Sequence, residues 1–118
     1  MDALSVLRGA RALIATPDKW TQGAYARDAE GGERLPMDDH AVCWCAFGAI
    51  SRVSENDWSN PTDYQAIHFE FSRFVGDSSL VYWNDLAGRT HAEVLDAFDA
   101  VIAKLEVANV DLCAKESG

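Results

Sequence analysis

Apolar residues recur at helical spacing from the start of the chain. Leu4, Leu7, Ala10 and Ile14, with Ala3 and Leu13, fall on one side of a helix drawn over residues 2–15. Arg8 and Arg11 lie mostly on the other side, and Asp2 stands where a helix cap belongs. Thr16-Pro17-Asp18 ends the run, because the residue before a proline is pushed out of helical conformation. From Trp20 to Asp28 the pattern changes to alternation around Tyr25. Gly31-Gly32 then supplies a turn, and a return to Leu35 closes a small hairpin. A two-stranded ribbon is unstable alone, so it is expected to lie on helices.

Beyond Pro36 and Asp38-Asp39, the stripe Val42, Cys45, Ala46, Ala49, Ile50 and Val53 predicts a second helix over residues 39–53. Gly48 within it costs about 1 kcal/mol relative to alanine. That cost is tolerated where something large approaches closely, and with four tryptophans in the chain a ring is the expected neighbour. Residues 54–60 read as a polar loop. Pro61 opens a third helix at the position where its missing N–H costs nothing, with Tyr64, Ile67, His68, Phe71, Phe74 and Val75 along one side. Gly76-Asp77 breaks it. Residues 78–85 are compatible with a strand or a short helix. The helix is favoured because Leu86-Ala87-Gly88 resembles a helical exit with a left-handed glycine. Thr90 and Glu93 form a T-x-x-E capping box, and Val94, Phe98, Val101, Ile102 and Leu105 stripe the last helix to about residue 107.

The expected architecture is therefore α+β and predominantly α: four to five short helices with a small β-hairpin inserted after the first helix. A single globular domain over residues 1–108 is expected, with 109–118 as a flexible C-terminal tail. The 118-residue length leaves no room for a second core.

Charge narrows the possible partners. Ten basic against nineteen acidic residues give a formal net charge of −9, which repels phosphate backbones and argues against nucleic-acid binding. The longest uncharged apolar run, Ala41–Ile50, is about half of what a membrane-spanning helix needs. Asp2, Arg8 and Arg11 also spoil a secretory signal. Cys43, Cys45 and Cys113 are an odd number of cysteines, as expected of reduced thiols in the cytoplasm.

Three clusters form a recognisable combination: Trp20-x-Gln22-Gly23 with Ala26-x-Asp28; Cys43-Trp44-Cys45-Ala46-x-Gly48-Ala49; and Trp83-Asn84-Asp85-x-x-Gly88-Arg89-Thr90-x-x-Glu93-Val94. In that order they resemble a family of small bacterial and phage-associated domains of unknown function, over roughly residues 4–105. The resemblance implies a small intracellular bacterial protein and carries no activity, substrate or cofactor with it.

Read for chemistry, Cys45 is the one candidate nucleophile. A thiol in the first turn of a helix feels the positive end of the dipole. His91 is then its candidate base, with Asp85 or Asn84 orienting the ring, the logic of a Cys-His-Asx triad. The competing reading makes Cys45 a small core residue. His40, Cys43 and Cys45, joined by His91, His68 or Cys113, are the residue types that zinc accepts. They lack standard spacing, so neither a metal nor a cofactor is expected. Arg89 beside a helix start permits a phosphate site, but capping chemistry accounts for the same residues, with Asp85 taking turn N–H groups or pairing with Arg89. Gln22 and Asp28 read as turn and hairpin groups, and His68 as a half-buried histidine. Trp44 lies off the main stripe, so it must meet a second layer or face solvent. Trp44, Tyr25 and Trp58 are accordingly the expected contact surface, for a protein partner or for self-association. A structural or protein-interaction role ranks first, and a Cys45-dependent hydrolase or transferase using His91 and Asp85 is the alternative.

Overall fold

The Asp2 carboxylate accepts the Ser5 backbone N–H at 2.8 Å and so caps the first helix, α1 (Ala3–Leu13). A computed structural model describes residues 2–55 and 61–117, and the side chains of 2–55 and 65–107. After α1 come a single 3-10 turn (Pro17–Lys19) and three short strands, β1 (Ala26–Arg27), β2 (Glu33–Arg34) and β3 (Cys43–Trp44). Four further helices follow: α2 (Ala46–Ser54), α3 (Pro61–Val75), α4 (Leu80–Asp85) and α5 (His91–Ser117). The fold is α+β and predominantly α, as the periodicity predicts.

The sheet departs from the expected hairpin. It has three strands in the order β2-β1-β3, both pairs antiparallel, with Ala26 opposite Arg34 on one side and Trp44 on the other. The predicted helix over 39–53 therefore begins late, at Ala46. Residues 42–44 (Val-Cys-Trp) are aromatic, β-branched or small, and they fit a pleated surface better than a helix. The backbone of β1 offers them partners, with Val42 N–H bonded to the Arg27 carbonyl at 2.9 Å and Cys45 N–H to the Tyr25 carbonyl at 3.2 Å. Cys45 becomes the cap of α2.

That shift also changes what Gly48 meets. A β-carbon built on Gly48 would collide with the backbone carbonyl of Tyr25, not with a tryptophan ring. Helix α2 lies directly on the sheet, and a glycine lets it do so.

The core sits where α1, α2, α3 and α5 converge. Leu7 and Ala10 from α1, Ala49 and Ile50 from α2, Ile67 and Phe71 from α3, and Val94, Phe98 and Val101 from α5 are buried together with Ile14, which follows α1. Phe71 and Phe98 meet edge-to-face, with centroids 5.1 Å apart and planes at 78°. This geometry sets ring edge against ring face and contributes about 0.5–1.5 kcal/mol beyond burial. The Arg11 guanidinium and Asp99 carboxylate tie α1 to α5 at the rim. The α3 stripe is narrower than predicted: Phe74 and His68 are exposed, while the Tyr64 side chain lies outside the described residues. Helix α5 continues to Ser117, beyond the predicted end near 107. Side chains from 108 onward, and residue 118 altogether, lie outside the described residues.

Candidate functional site

The three sequence clusters meet at one buried side chain. Asn84, in the last turn of α4, has no solvent exposure. Its Oδ1 accepts the Trp20 indole N–H at 2.8 Å and the Ala46 backbone N–H at 3.1 Å. Its Nδ2 donates to the Thr21 carbonyl at 3.1 Å and to Asp85 Oδ1 at 2.9 Å. Gln22 closes the bracket from the other side, its Nε2 donating to the carbonyls of Asn84 at 2.8 Å and Leu86 at 3.0 Å. Asp85 Oδ1 also accepts the Gly23 N–H at 3.0 Å. Both the donor and the acceptor capacity of the Asn84 amide are thus used. A network fully satisfied in a low-dielectric interior fixes the geometry of every segment it touches.

The corner beyond Asn84 follows capping chemistry. Gly88 takes a left-handed φ of +85°. The Thr90 hydroxyl accepts the Glu93 N–H at 3.1 Å, and Glu93 Oε1 accepts the Thr90 N–H at 3.0 Å. These bonds, with Arg89 beside them, hold the Glu93 carboxyl below its usual range. Asp85 does not pair with Arg89, as one expectation had it. Arg89 instead stacks over the Trp83 ring at 4.1 Å and bonds to the Trp83 carbonyl and Glu93, both at 3.0 Å.

The candidate triad residues each have other partners. The Cys45 thiol is fully buried and accepts the Gly48 N–H at 3.3 Å. Burial pushes its pKa up to about 11. The Gly48 hydrogen bond pulls the other way, and the nearby negative charge of Asp85 adds to the rise. The dipole argument is overridden because desolvation of a thiolate outweighs one helix-terminal N–H. His91 Nε2 lies 2.6 Å from the Ile14 carbonyl oxygen, and its ring tilts against Trp20 at 6.0 Å. A carbonyl only accepts, so Nε2 carries the proton in this contact. Asp85 Oδ1 is taken by Gly23 and Asn84, as above.

Of the metal-ligand candidates, His40 is exposed with its ring nitrogen 3.3 Å from Asp38, and the Cys43 thiol faces the Arg27 carbonyl at 3.9 Å. Among the described residues, no group of three or more His, Cys, Asp or Glu side chains stands close enough to hold a metal ion.

The expected contact residues divide. Trp44 is 5% exposed, its indole N–H donates to the Pro36 carbonyl at 3.0 Å, and Arg52 lies 5.6 Å above its ring. Because it belongs to β3 and not to a helix, its ring turns inward and offers almost no contact surface. Trp58 lies outside the described residues. Tyr25 is exposed, and the register that sets Ala26 opposite Arg34 brings it opposite Leu35, also exposed. These two, with Glu33, Arg34, Val81 and Asp85, border an open groove of about 440 Å³ between the sheet and α4.

A family model described as a family of unknown function, DUF6197, matches residues 1–104. The chain belongs to the DUF6197 family. No curated protein and no solved structure matches it.

In this DUF6197 member, the motif residues are the bracket that fastens sheet to helices. Sequence reasoning gave Asn84 only a part in orienting His91 and missed it as the hub, and it missed Leu35 and Val81 at the groove. The one available signal was the three-fold recurrence of amide and indole donors (Trp20, Gln22, Asn84) beside short apolar runs.

Proposed function

We propose that this DUF6197 domain is a protein-interaction module whose contact surface is the groove between the sheet and α4. The observation that carries the reading is the outward-facing pair of Tyr25, 47% exposed, and Leu35, 73% exposed. No described buried side-chain nitrogen or oxygen lacks a hydrogen-bond partner, so the buried polar groups of the motif clusters are spent on the fold. Large apolar side chains left outside a satisfied body are what a partner would cover. The competing reading, a Cys45-dependent hydrolase or transferase, needs an accessible thiolate, and a buried thiol titrating near 11 supplies little of it at neutral pH. We assign the domain to the bacterial cytoplasm, on the family resemblance and on the free state of Cys43 and Cys45.

The test is site-specific photo-crosslinking in the native cell. A photoreactive residue at Leu35 is expected to give a discrete protein adduct, and one at Asp96, on the exposed side of α5, is expected to give none. Equal yields at both positions would refute the reading.

A further inference from the structure

The groove also carries information about what it accepts, and this inference rests on the interaction reading above. The geometry points to a basic occupant: a segment of a partner protein in which a Lys or Arg stands beside an apolar side chain. Three observations support it. The first is the lining, where Tyr25, Leu35 and Val81 supply apolar surface at the sites an apolar side chain would cover.

The second is the charge left over after internal pairing. Arg34 lines the groove, but its guanidinium is committed to Asp28 at 2.9 Å and Asp38 at 3.4 Å. Glu33 makes no ion pair among the described residues, and both donors to Asp85 use its Oδ1, leaving Oδ2 without a donor among those residues. The groove thus presents two carboxylates with no cation of their own. The third is the formal net charge of −9, which draws a basic segment in from a distance and disfavours a second copy of the same chain. It disfavours phosphate-bearing ligands for the same reason. One wall is β2, the outer strand of the sheet, so an extended segment can lie along it.

The experiment is an amide NMR titration of the full chain at physiological salt with two capped peptides, one alternating Leu and Lys, the other alternating Leu and Glu. The Lys peptide is expected to shift the resonances of 23–25, 33–35, 81 and 85 saturably. Glu33→Lys and Leu35→Ser, both at exposed positions, should each weaken it by about tenfold or more. Asp96→Lys, a remote reversal of the same size, should weaken it by less than about twofold. Shifts spread over the whole surface, or equal loss in Asp96→Lys, would mean non-specific attraction and overturn the proposal. If the Glu peptide moves the same resonances as strongly, the groove is an interface but the partner chemistry is wrong. Concentration-dependent shifts there without peptide would make a second copy the occupant instead. A silent groove alongside a positive Leu35 crosslink rejects the basic partner alone, and a silent groove with no crosslink rejects the interaction module as well.

Discussion

The carbonyl group of Tyr25 fills the space a β-carbon on Gly48 would need, with its carbon 2.9 Å from that point and its oxygen nearer still. The same oxygen accepts the Cys45 N–H, so it cannot swing aside without breaking the join between β1 and α2. Gly48→Ala is therefore expected to destabilise by about 3 kcal/mol or more, at the upper end of overpacking effects. Gly9 provides the comparison: its added β-carbon would meet the side chain of Val53, Cγ1 at 2.8 Å and Cγ2 at 3.5 Å, and no backbone atom. Gly9→Ala should cost clearly less than Gly48→Ala, because a side chain can shift where a hydrogen-bonded carbonyl cannot, and helix propensity offsets about 1 kcal/mol of the contact. Urea midpoints of the two variants check the difference.

Truncating the hub should cost more than removing any one of the hydrogen bonds it makes. Asn84→Ala leaves the Trp20 indole N–H and the Ala46 N–H without an acceptor and the Thr21 carbonyl without its donor. Unmet buried groups cost about 1–3 kcal/mol each, so a loss of roughly 3 kcal/mol or more is expected. Trp20→Phe removes one of those donors. Adding it to Asn84→Ala should cost less than the sum of the two single changes, measured as a double-mutant cycle by chemical denaturation. Strict additivity would show that the bond contributes nothing.

Alkali should destabilise the protein through Cys45. Its thiol titrates near 11 in the folded state against an ordinary 9.0, so the unfolded chain ionises first as pH rises. Stability therefore falls between about pH 9 and 11, by roughly 2–3 kcal/mol over the full window. Cys45→Ala should flatten that slope relative to wild type, while losing about 1 kcal/mol at neutral pH with the cap. Iodoacetamide at neutral pH should label Cys43 well before Cys45. Rapid labelling of Cys45 in the native protein would revive the nucleophile.

At the acid end the sign reverses. Glu93 is held below its ordinary 4.5 by the Thr90 bonds and by Arg89, so it favours the folded state above that value. The benefit disappears as pH falls through the lowered folded value. Glu93→Gln is expected to show a shallower decline in melting temperature below about pH 4.5 than wild type does.

The legible parts of the fold were those set by neighbours in sequence. The Asp2 cap, the Thr90–Glu93 box and the stripes of α1 and α5 depend on residues three or four apart. The third strand was hidden because Val42, Cys45, Ala46 and Ala49 also fit a helix, and only β1, distant in sequence, decides for a strand. Gly48 announced a close approach without naming what approaches. At the site, Tyr25 is readable as a surface residue, while helical spacing leaves Trp44 either against a second layer or in solvent, and only its place in β3 decides for the interior. The Asn84 hub joins Trp20 to Asn84 across 64 positions, a relation that no local pattern encodes.

That reach has a consequence for synthesis on the ribosome. The Thr21 carbonyl that leads toward the sheet, the start of α2 and the indole of Trp20 all take their final partners from Asn84, which is made after all of them. The amino-terminal half emerges with the junction of Trp20, Thr21 and α2 lacking its keystone, and that junction locks only once α4 has left the exit tunnel.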